Sequence, residues 1–277
     1  MSVPERILID GEPQDRLSVL DRGLQFGDGL FETIVCRNGR PRLLALHLDR
    51  LARGCDRLEI KRPDPLVLRN EIEAMAQGAD AIVKLIVTRG EAVARGYAWA
   101  GNERVTRILM RFAWASAEVK ESAHIGTAAV RLGENPALAG VKHLNRLEQV
   151  LAQGELRRRG LDELLMLSSS GRLVSGTMSN VFIVHDGKLL TPRIDRCGVA
   201  GIMRQVVLRE ARRAAIPVEE AQLGARHLKQ GQEIFLTNAR LGIWPVRALG
   251  TREFSPGPVT ARLQALLQPL LEAPADA

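Results

Sequence analysis

The sequence predicts an α+β fold organised as two domains, and three observations support this prediction. The chain has 277 residues, more than a single hydrophobic core usually holds. Short strand patterns and helical patterns follow one another without the regular alternation of a doubly wound sheet. The segment "ASAEVKESA" lacks apolar periodicity and apolar bulk, which is typical of a linker. We therefore predict a smaller N-terminal domain over residues 1–114, a linker over 115–123 and a larger C-terminal domain over 124–277.

Turn dipeptides mark the ends of the strands in the first domain. The strand in "RILIDGEP" ends at Asp10-Gly11, and "GLFETIVCRNGRPRLL" turns at Asn38-Gly39, because both dipeptides favour tight turns. A helix follows in "LLALHLDRLARGCDRLEI", where apolar residues recur at helical spacing. These residues are Leu44, Leu48, Leu51, Cys55 and Leu58. After a further helix, "AIVKLIVTRG" and "TRILMRFAW" alternate like strands, joined by a polar loop over residues 89–106.

The second domain mixes short strands with three helices. It opens with "HIGTAAVRL" and passes through a helix in "NRLEQVLAQGELRRR". The segment "DELLMLSSSGRLVSGTMSNVFIVHDGKLLTP" reads as short strands broken by Ser-Gly and Asp-Gly turns. A helix in "GIMRQVVLREARRAAI", a strand in "EIFLTNA" and an amphipathic helix in "VTARLQALLQPLLEA" complete it.

The charge distribution does not indicate a nucleic-acid-binding protein. The formal net charge is +7, but the arginines are dispersed, and the aromatic residues number only three Trp, one Tyr and six Phe. The densest basic run, Arg157–Arg159, lies at the end of a predicted helix, where cations complement the helix dipole. The positive surplus suits an anionic small molecule instead.

The cysteines and the N-terminal segment predict a soluble, cytoplasmic protein. Three cysteines without CxxC spacing argue against a disulfide framework and against a zinc site, so no metal is expected. "MSVPERILIDGEP" has no apolar core of signal-peptide length, and no apolar run approaches the roughly 18 residues of a membrane span. We expect no membrane partner.

One lysine stands where an amine can become reactive, in "GVKHLNRLEQVLA". Asn145 and Glu148 have the spacing of a capping box, which predicts a helix starting near residue 145 with Lys142 in its approach. Leu144, Leu147 and Leu151 are predicted to form a buried stripe on that helix. A lysine held there is partly desolvated, which disfavours the ammonium form and gives a nucleophilic amine able to form a Schiff base. The alternative is a snorkelling surface lysine.

Two further segments predict an anion site. "CGVAGIMRQ" places Gly198 and Gly201 directly before a helix, so that unpaired amides and the positive end of the helix dipole face outward together. In "LTNARLG" a strand ends in small polar residues whose amides can surround an anion. The alternatives are ordinary turn glycines and a plain exit from a strand.

Several motifs together resemble one enzyme family. "DRGLQFGDGLFETI", "HLDRL", "TRGEAVARGY", "LAGVKHLNRLEQVLA", "SGTMSNVFIV", "TPRIDRCGVAGIMRQ" and "TNARLGIWPV" have the order and spacing seen in pyridoxal-phosphate enzymes of fold type IV. That family comprises branched-chain and D-amino acid aminotransferases and a lyase relative. The similarity spans about residues 5–247, and "KHLNRLEQVLA" and "GVAGIMR" are most similar to the aminodeoxychorismate lyases.

The resemblance implies a cofactor, pyridoxal 5′-phosphate, bound between the two domains. It implies that Lys142 holds the cofactor as a Schiff base and later moves protons, and that Arg50 of "HLDRL" binds the phosphate. Further phosphate contacts are implied for the backbone of Ile202, Met203, Asn238 and Ala239. A solvated arginine on a helix surface is the alternative for Arg50. Asn145 is expected to be a helix cap outside the site.

The resemblance also implies a substrate pocket. Arg95 and Tyr97 of "ARGY" would face the substrate, and Arg95 would pair with a carboxylate. Phe31, Glu32 and Thr33 of "GLFET" would line the same pocket, and Tyr97 and Thr33 are candidate hydrogen-bond donors near the leaving oxygen. The alternatives are ordinary loop residues and a strand that points into the core.

One position departs from the family pattern. Fold-type-IV enzymes usually carry a glutamate five residues before the Asn of "SNVF", and its carboxylate pairs with the protonated pyridine nitrogen. Here Ser175 stands five residues before Asn180. A hydroxyl supplies no negative charge, so the cofactor is expected to be a weaker electron sink. This disfavours a transaminase most, because a lyase whose product becomes aromatic needs less stabilisation from the ring.

The resemblance therefore predicts a lyase that converts 4-amino-4-deoxychorismate to 4-aminobenzoate and pyruvate in folate biosynthesis. The alternatives are a D-amino acid or branched-chain aminotransferase and a divergent, non-catalytic homologue. Family members are usually homodimers, so a homodimer is expected, with a small-molecule substrate and no nucleic-acid partner.

Overall fold

A computed structural model describes residues 3–92, 95–114, 121–255 and 257–272. These residues form two compact units. The described residues up to 114, together with Val141–Asn145, make up the first unit. The described residues of 121–140 and 146–272 make up the second. The predicted linker stays a prediction, because residues 115–120 lie outside the described ranges.

The first unit is an antiparallel sheet with three helices. Its strands are β1 (Arg6–Ile9), β2 (Glu12–Pro13), β3 (Gly29–Arg37), β4 (Arg40–Pro41), β5 (Ala81–Thr88) and β6 (Thr106–Ala113). Its helices are α1 (Arg22–Phe26), α2 (Leu44–Leu58) and α3 (Pro65–Ala76). The strand order is β2-β1-β6-β5-β3-β4, and every neighbouring pair is antiparallel.

The predicted turns of this unit are confirmed. Asn38 and Gly39 have φ angles of 50° and 74°, and Asp10 and Gly11 have 52° and 91°, the left-handed region that Gly and Asn tolerate best. The α2 helix is also confirmed. Its predicted apolar face packs on the sheet: Leu48 and Leu58 are partly buried, and the full burial of Leu44 and of Leu51 contributes about 2 kcal/mol each.

The second unit is built on a nine-stranded mixed sheet. Its strands are β7 (Ala123–Thr127), β8 (Glu163–Leu167), β9 (Leu173–Gly176), β10 (Asn180–His185), β11 (Lys188–Pro192), β12 (Val218–Ala221), β13 (Glu233–Asn238), β14 (Gly242–Leu249) and β15 (Arg252–Glu253). Its helices are α4 (Leu147–Arg159), α5 (Ile202–Arg213), α6 (Ala225–Gln230) and α7 (Pro258–Glu272). The order is β12-β11-β10-β13-β14-β7-β8-β9, with β15 paired to β14. The pairs β11/β12, β7/β14 and β7/β8 are parallel.

The capping box and the buried leucine stripe predicted at the lysine segment are wrong. Helix α4 begins at Leu147, and its N-cap residue, Arg146, makes no side-chain cap within the described residues. The Asn145 side chain instead donates to the carbonyl of Gly27, and the Glu148 carboxylate accepts from the amide of Gly133. The stripe is mostly in solvent, because Leu147 is 78% exposed and Leu151 is 63% exposed.

The lysine segment groups with the first unit, although the sequence places it in the C-terminal domain. The reason is backbone pairing to β3: the Phe31 amide donates to the carbonyl of Lys142, and the Leu144 amide donates to the carbonyl of Gly29. Val141 lies in the apolar core of that unit. No helix in the described ranges has both the length and the apolar character needed to cross a bilayer.

Candidate active site

Lys142 is held against strand β3 by a short β-bridge. Leu30 and His143 form the bridge, and the N···O distance from Phe31 to the carbonyl of Lys142 is 3.0 Å. The side chain is half-buried, and its Nζ lies 4.1 Å from the centroid of the Phe31 ring. This contact places the amine against an aromatic face, which restricts water around it. The side chain is thus partly shielded from water, strand pairing holds it there, and the reactivity expected of its amine stays a prediction.

A buried ion cluster lies beside this lysine. Glu32 is 1% exposed, and its Oε1 accepts from Arg50 Nε at 2.8 Å while its Oε2 accepts from Arg50 Nη2. The same Oε2 lies 2.7 Å from Nδ1 of His47. His47 and Arg50 are three residues apart on α2, so both point from one helix face toward β3.

Burial and the contacts within the cluster determine the protonation states of Glu32 and His47. Burial by itself would raise the pKa of Glu32, but the charge of Arg50 and the contacts with His47 lower it to about 2. Burial lowers the pKa of His47; the contact with Glu32 opposes this, the charges of Arg50 and Lys142 add to it, and the pKa is lowered overall. Glu32 is therefore ionised and His47 neutral at pH 7, so Nδ1–H of His47 is the donor to the carboxylate.

This arrangement changes the assignment of Glu32. Both carboxylate oxygens are engaged with Arg50 and His47 inside the unit, which argues for a positioning role and against direct contact with substrate. Arg50 was expected either on a solvated helix surface or at a phosphate. It is buried, with a bidentate contact to Glu32 that fixes the plane of its guanidinium. Sequence reasoning missed His47, although its spacing from Arg50 in "HLDRL" is a usable signal.

Phe31 and Thr33 lie on the opposite face of β3 from Glu32. Both are partly exposed, as expected for alternate residues of a strand. Thr33 pairs in register with Lys84 of β5, and Nζ of Lys84 lies 5.7 Å from the Phe31 ring centroid. Phe31 thus has the Nζ atoms of Lys142 and Lys84 near its ring. Lys84 is a second residue that the motifs did not identify.

Arg95 and Tyr97 lie in an exposed loop of the first unit. The Tyr97 side chain is 81% exposed, and its ring meets the Phe26 ring edge to face at 5.3 Å. Arg95 is also exposed. Their roles toward a substrate stay predictions.

In the second unit, the start of α5 is a candidate anion cradle. Gly201 is the N-cap residue, and within the described residues no side chain caps the first turn. The amides of Ile202 and Met203 stand at the positive end of a helix of 12 residues. A Cβ at Gly201 would lie 2.0 Å from Oδ1 of Asn180, so a larger residue would clash there.

The end of β13 lies beside this helix start. Asn180 pairs in register with Thr237, and the Asn180 side chain donates to the carbonyl of Val199 at 3.0 Å. Thr237 is 1% exposed, and its Oγ1 has no hydrogen-bond partner among the described residues. Oδ1 of Asn238 accepts from the amides of Arg240 and Leu241, which shapes the turn that carries Ala239. Within the second unit, the start of α5, which carries Ile202 and Met203, therefore lies near the end of β13, which leads to Asn238 and Ala239. The buried hydroxyl of Thr237 directly precedes Asn238.

Ser175 lies in β9 and makes a local contact. Its Oγ donates to the carbonyl of Gly176 at 2.8 Å, and the residue is 9% exposed. The adjacent buried carboxylate is Glu163, which accepts from the amides of Thr177 and Met178 and from Ser179 Oγ at 3.0–3.2 Å. Glu163 thus holds the loop that follows β9. It is a third residue that the motifs did not reveal.

Comparisons with known proteins point to one family. The family model of class IV amino-transferases matches residues 29–249. An aminodeoxychorismate lyase of Vibrio harveyi is 32% identical over 267 residues, with 94% of this chain and 98% of that protein covered. A putative branched-chain-amino-acid aminotransferase of Methanocaldococcus jannaschii is also 32% identical, covering 85% of this chain and 83% of that protein.

A solved structure, the 4-amino-4-deoxychorismate lyase from Pseudomonas aeruginosa, superposes on this chain with a TM-score of 0.89. It is 44% identical, and the match covers 95% of this chain and 98% of that one. The predicted α+β fold of the fold-type-IV enzymes is therefore confirmed. The chain belongs to the class IV amino-transferase family.

Proposed function

We propose that this protein is a pyridoxal-phosphate-dependent lyase that converts 4-amino-4-deoxychorismate to 4-aminobenzoate and pyruvate. One observation carries the choice of reaction: the 44% identity to a 4-amino-4-deoxychorismate lyase holds over 95% of the chain. The lysine, the buried guanidinium and the anion cradle described above provide the residues that such an enzyme needs.

The residues present fit the proposed cofactor. Lys142 supplies a half-buried amine for the cofactor aldehyde. The amides of Ile202 and Met203 suit the phosphate, whose oxygens are strong acceptors, and so does the hydroxyl of Thr237, which has no hydrogen-bond partner in the described part of the chain. Arg50 is the proposed cationic contact to the same group. When bound, pyridoxal phosphate supplies an electron sink next to a bound substrate amine.

Each proposed catalytic group has a defined task. Lys142 anchors the cofactor; once its amine is free, it takes the proton from the ring carbon that bears the substrate amine. As the bond between the ring carbon and the ether oxygen breaks, the ring becomes aromatic, and the same amine returns the proton to the methylene carbon of the enolpyruvate, which leaves as pyruvate. Arg95 pairs with a substrate carboxylate, and Tyr97 and Thr33 donate hydrogen bonds near the leaving oxygen.

Ser175 supports a lyase over a transaminase. Its hydroxyl is donated to a neighbouring carbonyl, and it carries no charge that would favour a protonated ring nitrogen. Aromatisation of the product supplies driving force that transamination lacks.

Three parts of the proposal stay predictions: the assignment of Ser175 as a cofactor contact, the bound position of the cofactor between the domains, and the role of the reaction in folate biosynthesis. So do the homodimer, which light scattering would test, and the cytoplasmic location.

The decisive experiment supplies aminodeoxychorismate to the protein and measures released 4-aminobenzoate and pyruvate in equal amounts. Lys142→Ala is expected to abolish release, because it removes both the anchor and the base. Lys61→Ala, at an exposed lysine of the same unit, is the matched control and is expected to keep full activity. Release that persists in Lys142→Ala would overturn the assignment.

The second candidate is an aminotransferase, favoured by the similarity to the Methanocaldococcus jannaschii protein. Incubation with D-alanine or leucine and 2-oxoglutarate tests it. A rapid and complete conversion of the cofactor to its pyridoxamine form would replace the lyase proposal. A protein that takes up no added pyridoxal phosphate would instead be a non-catalytic homologue.

A further inference from the structure

We propose that Arg22 is a positioning residue that fixes the exposed loop carrying Arg95 and Tyr97. The role of this loop in binding substrate rests on the proposed function, whereas the contact between Arg22 and the loop is a property of the first unit. Arg22 is only 3% exposed, which is unusual for an arginine on a helix of five residues.

The guanidinium of Arg22 binds three successive carbonyls of the loop. Nη2 donates to Tyr97 O at 2.8 Å, and Nη1 donates to Ala98 O at 3.1 Å and to Gly96 O at 3.4 Å. A guanidinium offers five N–H donors in a rigid plane, so this set of contacts defines the path of the backbone. The side chains at the tip of the loop are largely in solvent, because Tyr97 is 81% exposed and Trp99 is 45% exposed, so the backbone contacts of Arg22 carry much of its attachment.

A second buried arginine and a shared carboxylate hold Arg22 in place. Arg22 Nε donates to Oδ2 of Asp28 at 2.8 Å, and Arg89 Nε donates to the same oxygen at 2.8 Å. Burial alone would raise the pKa of Asp28, but its bonds to Arg89 and Arg22 hold that pKa below its ordinary value. The carboxylate is therefore ionised at pH 7, and it balances part of the charge of two buried cations.

Arg89 connects the same network both to the end of α2 and to a side chain of the loop. Its Nη1 and Nη2 donate to the carbonyls of Glu59 and Leu58, both at 2.7 Å, which ties it to the end of α2. Its guanidinium stacks on the Trp99 ring at 4.3 Å. The loop is thus held on its backbone by Arg22 and on one side chain by Arg89, and α2 carries the Arg50 cluster.

This geometry predicts that loosening Arg22 affects substrate binding and leaves the cofactor in place. Lysine at position 22 keeps a positive charge near Asp28 but has no planar fork to bind three carbonyls. We expect Arg22→Lys to raise KM for aminodeoxychorismate about tenfold or more, with a smaller change in kcat and unchanged cofactor trapping on Lys142. Arg107→Lys is the matched control, because the Arg107 side chain pairs with Glu71 and Asp10 in the same unit and contacts none of the described loop residues 95–99 in any hydrogen bond or ion pair.

The rate of proteolysis within the loop measures how firmly the loop is held, and this measurement does not depend on enzyme activity. Trypsin cleavage after Arg95, identified by mass spectrometry under native conditions, is expected to be about tenfold faster in Arg22→Lys, because hydrogen bonds to a charged donor that suppress local opening are lost. Trp99→Leu leaves the buried arginines in place and is expected to accelerate the same cleavage about threefold. Should Arg22→Lys fail to fold, Arg22→Gln, which is neutral and has a single NH2 donor group, takes its place in the same assay.

The outcomes are distinct. Cleavage after Arg95 at the wild-type rate in both loop variants, or equal acceleration in Arg107→Lys, would overturn the positioning role. Faster cleavage with an unchanged KM would show that the loop is held by Arg22 but does not position substrate, which also overturns the proposal. If the wild-type protein releases no 4-aminobenzoate, the proposed function is wrong, and the cleavage rates alone decide whether Arg22 fixes the loop.

Discussion

Replacing Glu32 by glutamine is expected to destabilise the first unit strongly. The substitution keeps the shape of the side chain but leaves the buried Arg50 guanidinium without a counter-charge and His47 with a weaker acceptor. The magnitude follows from the pKa of Glu32, which falls from 4.5 to about 2 in the folded protein. At about 1.4 kcal/mol for each pKa unit, the ionised carboxylate contributes about 3 kcal/mol at pH 7. Breaking a buried ion pair from one side typically costs about 3–5 kcal/mol, which agrees.

The assay is urea unfolding at pH 7 without added cofactor. Glu12→Gln, at an exposed glutamate of the same unit, is the control and is expected to change the free energy of unfolding by less than about 0.5 kcal/mol. A cycle with Arg50→Met is expected to give a coupling energy of about 1–3 kcal/mol, because the two residues share the same hydrogen bonds. A cost below about 1 kcal/mol for Glu32→Gln, or additive effects in the cycle, would refute the reasoning.

Three further predictions concern the second unit and acid. Gly201→Ala is expected to weaken pyridoxal-phosphate binding about tenfold in a titration, since its Cβ would meet an amide oxygen at 2.0 Å. Gly154→Ala, whose nearest contact is at 3.5 Å, is expected to bind normally, and equal affinity of both would contradict the cradle. Glu163→Gln is expected to lower the free energy of unfolding by about 2 kcal/mol, because it weakens the hydrogen bonds that the buried carboxylate accepts. An unchanged urea midpoint would contradict this. Acid is expected to destabilise the protein. The depressed pKa of Glu32 stabilises the folded state fully above about pH 4.5, and this stabilisation is lost as the pH falls toward about 2. The lowered pKa of His47 acts in the same direction below pH 6.5, because the unfolded state then binds the proton more readily. Urea midpoints that stay constant from about pH 7 to about pH 3 would contradict this.

Local signals in the sequence were sufficient where short-range physics decides the structure. The turn at Asn38-Gly39 requires positive φ angles, and this dipeptide adopts them easily. The apolar spacing of α2 and the glycines before α5 also predicted the elements that carry Arg50 and the anion cradle. In each case the determining residues lie within a few positions of one another.

Long-range contacts explain what the sequence did not reveal. Asn145 and Glu148 have the spacing of a capping box, but the Asn145 side chain bonds to Gly27, 118 residues away. Lys142 is positioned by pairing with β3, which no helical pattern can show. Glu32 lies in an alternating strand where a charged residue usually faces solvent, and only the fold shows that His47 and Arg50 meet it.

The most direct test of the central claim is to reduce the protein with borohydride after adding pyridoxal phosphate and to map the modified peptide by mass spectrometry. A single reduced pyridoxyl-phosphate group on Lys142, absent in Lys142→Ala, is the predicted result. A group attached to another lysine, or a protein that stays unmodified at saturating cofactor, would contradict the account.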